Sequence, residues 1–179
     1  MQIEICISKY EPEIKYFIEQ NEFLLEQSIR RILSRFDHIE NETDDFRSED
    51  IKMTSSNLLE GVNHLEYIEA SIDIHEASFN RAFQFYSLIS DMKKDVYLNT
   101  LALIFHHWDK NFRSWLLKEL RYYNLGKSFK DDLWEASFLE IIDFCELFGW
   151  QIKPTAYFKK ILILQRIVNV YKHGNRSLS

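Results

Sequence analysis

The chain has 179 residues and a mass of 21.6 kDa, the size of one ordinary domain, and its 46% hydrophobic and 28% charged content excludes global disorder. Only 4 glycines and 2 prolines are present, too few for the turns of an all-β sandwich or barrel, so the composition points to an all-α fold. Net charge is −6 but uneven: after Gln151 there are six basic residues and no acidic one, against 16 basic and 28 acidic residues before it, a balance of −12.

Ile14, Phe17, Ile18, Leu24, Leu25, Ile29, Ile32, Leu33 and Phe36 recur at spacings of mostly three and four, which predicts an amphipathic first helix with Pro12 in its opening turn. The following segment, residues 37–52, is densely acidic and poor in apolar side chains, and is expected to be a solvated loop. Thr54 or Ser55 then caps a segment running through Leu58, Leu65, Ile72, Phe79 and Ile89, either one helix or two broken near Ser71 to Ile74, with Gly61 marking close packing or a kink.

A turn near Asp91 to Lys94 is expected to precede a helix from Val96 to Tyr123, stopped at Gly126. Ser128 and Asp131 open another, ending at Gly149. Pro154 forbids simple continuation, and Thr155 caps a last helix that stops at Gly174. The expected architecture is one domain spanning residues 1–179, an up-and-down bundle of five or six helices. No apolar run reaches the ~18 residues of a membrane span, and no secretory leader or disulfide framework is evident from Met1 to Cys6 or from the two cysteines. The expected location is cytoplasmic.

Familiar catalytic signatures are absent: no glycine-rich phosphate loop, no CxxC, no HExxH, and no histidine with Glu three positions before it. Glu60 and His64, with Asp73, His75 and Glu76 nearby, are conceivable metal ligands, but surface carboxylates and imidazoles on helices are most often only solvated; no metal or cofactor is expected. His106 and His107 point about 100° apart on a helix, so only one can serve a given site. Asp109 and Arg113, four apart, are either a polar pair lining a cleft or part of an ordinary bundle helix with aromatics turned inward.

The last helix is the most informative. Arg166, Asn169 and His173 share a sector about 60° wide at 100° per residue. An imidazole moves protons near neutral pH, a guanidinium holds a phosphate through paired donors, and an amide orients either. These are sufficient for metal-free RNA cleavage in which the 2′-hydroxyl attacks the adjacent phosphate.

The run from Arg166 to His173, with six residues between, resembles the Arg-x4–6-His motif of the HEPN superfamily, helical bundles common in bacterial toxin, antiphage and RNA-processing systems. The resemblance implies a homodimer whose two motifs face each other as one metal-independent ribonuclease site. It would give His173 the acid/base role, Arg166 the stabilisation of phosphorane-like charge, and Asn169 the positioning of substrate or of His173. Lys159, Lys160, Lys172 and Arg176 are the expected RNA-binding cations. A second expectation comes from the acidic first 150 residues: a non-catalytic immunity or antitoxin-type protein that neutralises a basic protein partner through Asp44, Asp45, Glu49 and Asp50.

Overall fold

A computed structural model describes residues 11–58, 64–123, 125, 126 and 128–174. The fold is an all-α helical bundle, with six α-helices and no strand among the described residues. They are α1 (Glu11–Arg31), α2 (Ile39–Leu58), α3 (His64–Glu119), α4 (Phe129–Glu135), α5 (Phe138–Leu147) and α6 (Ala156–His173), with single 3-10 turns at Leu33–Phe36 and Leu120–Tyr122. Gly61 and Glu60 lie outside the described residues.

The chain divides into two compact units. The first comprises the chain up to Ser28 and from Leu98 onward; the second comprises Ile29–Tyr97. The chain leaves the first unit before α1 ends and re-enters it part-way along α3, so neither unit is bounded by a linker that composition could mark.

In the first unit, Phe105, Trp108, Phe112 and Leu116 of α3 and Leu120 just past its end fall at three- and four-residue steps and form one stripe. Phe138, Ile141, Ile142 and Cys145 of α5 meet that stripe, and Phe158 and Val168 of α6 complete it. The aromatic rings interlock: Trp108 stacks on Phe112 at 5.3 Å, Trp115 on Trp150 at 5.3 Å, and Phe138 meets Phe105 edge-on at 6.0 Å. Burial pushes the Cys145 thiol up to about 12.

The predicted helix from Ser128 to Gly149 is in fact two. Ser137 breaks it because its side chain accepts from the Glu140 amide while Glu140 returns to the Ser137 amide, a capping box that starts α5 afresh. Ser128 does precede α4, but its hydroxyl donates to the Asp132 carboxylate instead of capping a backbone amide. After α5 the chain reverses through Gly149, whose φ of +87° excludes a side chain without strain. Thr155 caps α6 as expected, accepting from the Phe158 amide at 3.1 Å, and Gly174, at φ +68°, follows its last residue.

In the second unit, residues 37–52 form most of α2 instead of the predicted acidic loop. Ile39 is buried, and Thr43, Phe46 and Asp50 follow it at three- and four-residue steps, giving a narrow inward face. Phe46 stacks on Phe85 at 4.6 Å, Ser78 donates to the Arg47 carbonyl, and Arg81 binds Asp50 through both carboxylate oxygens. The predicted turn at Asp91 to Lys94 and the possible break at Ser71 to Ile74 are also absent, since α3 is continuous through both. Lys94 pairs with Asp91 one turn back, and Lys93 donates to the Phe36 carbonyl at 3.4 Å, so these charges decorate a helix.

Candidate functional site

The candidate site lies on α6, whose position is set by its apolar side. Val168, 2% exposed, and Phe158 anchor the helix to the core cluster with Ile161, Leu162 and Leu164 around them. Arg166 lies roughly 160° around the helix from Val168, so locking Val168 inward turns Arg166 outward. Arg166 and His173 are both exposed, two turns apart on one edge and about 10 Å apart along the axis. Asn169 is half-buried beside them. Among the described residues no hydrogen bond or ion pair engages any of the three side chains.

Lys159 continues the same edge seven residues before Arg166, and it is exposed, as are Lys160 and Lys172. Lys160 and Lys172 project from other sectors, about 120° to either side of Arg166. The predicted cations therefore do not form one stripe: Lys159, Arg166 and His173 do, and the other two flank it. Arg176 lies outside the described residues. His173 ends α6 in its last turn with Lys172, where positive charge complements the helix dipole.

One feature of this edge went unread in the sequence. Ile167, Val170 and Tyr171, which periodicity assigns to the apolar side, instead line an open recess of about 300 Å³ with Leu98 and Arg166. The available signal was that α6 carries apolar residues around most of its circumference, more than one buried face can absorb.

The other candidates resolve differently. Arg113 is 6% exposed and does not line a cleft. Its Nε donates to Asp109 at 2.8 Å and its Nη1 to the carbonyls of Leu133 at 2.6 Å and Ala136 at 2.9 Å, so the guanidinium satisfies the carboxyl end of α4. This pair is structural. His106 is exposed and edge-on to Phe105, while His107 is half-buried with Nδ1 3.3 Å from Asn21 and 3.2 Å from Asn111. A second hollow, of about 420 Å³, opens nearby between Phe17 and Ile18 of α1 and Trp108, Phe112 and Trp115 of α3. Among the described residues no three His, Cys, Asp or Glu side chains come together closely enough to hold a metal ion, and Asp73, His75 and Glu76 form no such group.

No protein-family model, curated protein or solved structure matches the chain. Among the described residues no helix is long and apolar enough to cross a membrane.

Proposed function

We propose that the chain is a HEPN-like, metal-independent endoribonuclease of a bacterial toxin–antitoxin or antiphage system, with Arg166, Asn169 and His173 at its reactive edge and two copies of the chain forming the working unit. The observation that carries this reading is the exposure of Arg166 and His173 together on one edge of α6. In the reaction, the imidazole of His173 takes the proton of the ribose 2′-hydroxyl as that oxygen attacks phosphorus. Charge gathers on the non-bridging oxygens, where the forked donors of Arg166 stabilise it. The departing 5′-oxygen takes a proton from a second imidazole, supplied by the partner copy, and leaves a 2′,3′-cyclic phosphate. The Asn169 amide positions the phosphate or the ring. The positive potential of Lys159, Lys160 and Lys172 draws the RNA to this edge.

The test is cleavage of a single-stranded oligoribonucleotide in EDTA. His173→Ala is expected to remove cleavage while its unfolding free energy stays within about 0.5 kcal/mol of the parent, since the side chain is exposed. Retained cleavage by that variant excludes the assigned role.

A second reading has its own observation. Glu42, Asp45 and Glu49 are exposed on α2 at steps of three and four, and thus present one acidic face. An immunity or antitoxin-type protein would use such a face against a basic partner, and Asp45→Asn with Glu49→Gln would then slow association steeply at low salt. Salt-independent association, or no co-purifying partner, counts against it.

A further inference from the structure

We infer that two copies of the chain pair side by side and antiparallel through α3, along an exposed apolar stripe that runs from Leu65 to Tyr86. The surface lies wholly within the unit from Ile29 to Tyr97, so the inference goes beyond the reading of α6 and does not depend on it.

The stripe is set by helical geometry. Leu65, Ile68, Ile72, Phe79, Phe83 and Tyr86 are each between 39% and 75% exposed, and at 100° per residue all six fall within a sector about 60° wide and about 32 Å long. The buried side of the same stretch is a different sector, carried by Ile74, Ser78 and Ala82. Taking about 200 Å² for a large side chain, these exposures amount to roughly 650 Å² per copy and about 1,300 Å² for a pair, above the ~1,000 Å² that a specific association needs. Apolar surface of that extent marks a contact with another molecule.

The order of the residues identifies that molecule as a second copy. The intervals along the stripe are three, four, seven, four and three residues, the same from either end, with the centre between His75 and Glu76. A two-fold contact requires this reciprocity, because each residue must face the one that faces it. Turned about the centre, Leu65 faces Tyr86, Ile68 faces Phe83 and Ile72 faces Phe79. The first half of the stripe is aliphatic and the second aromatic, so every layer of the pair sets one aliphatic chain against one ring. Such layers have nearly equal volume and let the two helices lie at a constant distance. A parallel pair would set rings against rings at one end and aliphatic chains against each other at the other.

Charge selects the same direction. His75 and Glu76 are exposed at the centre, and in the antiparallel pair each imidazole meets Glu76 of the second copy. The acidic edge of the first half, Glu66, Glu69 and Asp73, falls opposite Asn80, Gln84 and Ser87 of the second copy, where carboxylates meet amides and a hydroxyl. In a parallel pair Glu76 would lie against Glu76, and like charges so placed disfavour a wrong pairing.

The test uses the full chain. Sedimentation equilibrium should show a dimer, and Phe79→Ser should weaken it on the order of thirtyfold, as loss of a central ring does. Leu88→Ser, at a side chain 71% exposed on another sector of α3, should leave the association unchanged. A parent chain that stays monomeric up to about 100 µM overturns the pairing and leaves the stripe to a different molecule. A dimer indifferent to Phe79→Ser overturns it too, and places the contact elsewhere on the chain, α6 included. Direction is read by copper-phenanthroline oxidation in a Cys6→Ser chain, whose remaining Cys145 is buried. An equal mixture of Ile72→Cys and Phe79→Cys chains should form the mixed disulfide, and neither variant alone should cross-link to itself. Self-cross-linking of Ile72→Cys without the mixed product, or no cross-link in the mixture, overturns the antiparallel arrangement. RNA cleavage is scored separately, so a dimer that never cleaves keeps the pairing and loses the nuclease reading, and a monomer that cleaves does the reverse.

Discussion

The two units of this protein are built from the same kind of element and held in different ways. In the unit formed by the chain ends, α3 with the 3-10 turn that follows it, α4, α5 and α6 bury ten apolar side chains in two adjoining clusters, and one buried arginine ties α4 to α3. In the unit from Ile29 to Tyr97, far fewer apolar side chains are buried, chiefly Leu33, Phe36, Ile39, Ile74 and Ala82, and much of the joining is polar or at the surface. The contrast teaches where each unit is vulnerable. Burial at ~25 cal/mol per Å² makes the first sensitive to truncation, whereas surface ion pairs contribute little, so the second rests on fewer and weaker contacts.

The largest effect should come from Arg113→Ala, which strands the Asp109 carboxylate and the carbonyls of Leu133 and Ala136 in a buried site. A loss of about 3–5 kcal/mol is expected in denaturant unfolding. Leu116→Ala, at a side chain 1% exposed, should cost about 2–5 kcal/mol through the cavity it leaves. If either change costs less than 1 kcal/mol, the first unit is not core-dominated and the comparison breaks.

Cys145 offers a way to watch that core directly. With its thiol held near 12, the reactive thiolate is scarce at pH 8, so a Cys6→Ser chain should resist iodoacetamide until it unfolds. The sign of the linkage follows: this thiol's contribution to stability is complete below the ordinary value of 9.0 and is lost as pH rises from there towards about 12. Labelling of Cys145 at native rates matching a free thiol would refute the burial.

Caps come next in size. Ser137→Ala removes half of the box that separates α4 from α5 and should cost about 1 kcal/mol, with Thr155→Ala similar. In the second unit, the Arg81 guanidinium beside Asp50 holds its carboxyl below the ordinary 3.8. That contribution is full above 3.8 and is lost as pH falls through the lowered value. Carboxyl NMR of Arg81→Met should show the Asp50 midpoint moving back up towards 3.8.

How far these features could be read in advance depended on which physical signal each leaves in the chain. Helical class, the Thr155 cap and the Gly174 stop were legible because composition, a capping side chain and a left-handed glycine are local signals. The break at Ser137 was hidden because Leu133, Phe138 and Ile141 keep apolar side chains coming across it, although the Ser137 to Glu140 spacing was there to find. The helix α2 was illegible for a different reason: its inward face is only Ile39, Thr43, Phe46 and Asp50, and what secures it, Phe85 and Arg81, is more than 30 residues away in sequence. Placing Arg166 and His173 on one edge needed only the helical repeat. The recess beside them needed Leu98, which no spacing within α6 could supply.

The smallest expected effect sharpens the comparison most. Along α3 in the second unit, Leu65, Ile72 and Phe79 are exposed at seven-residue steps, with Phe83 beside them at 65%. At 65% exposed, Phe83 has little to lose in an isolated chain, and Phe83→Ser should change the unfolding free energy by no more than about 0.5 kcal/mol. Seven-residue spacing is also the pattern by which helices of two molecules meet. A larger loss that grows with protein concentration would therefore show that another molecule covers this stripe in solution. The thin core of Ile29 to Tyr97 would then be one half of a larger one, and its difference from the first unit would disappear on assembly.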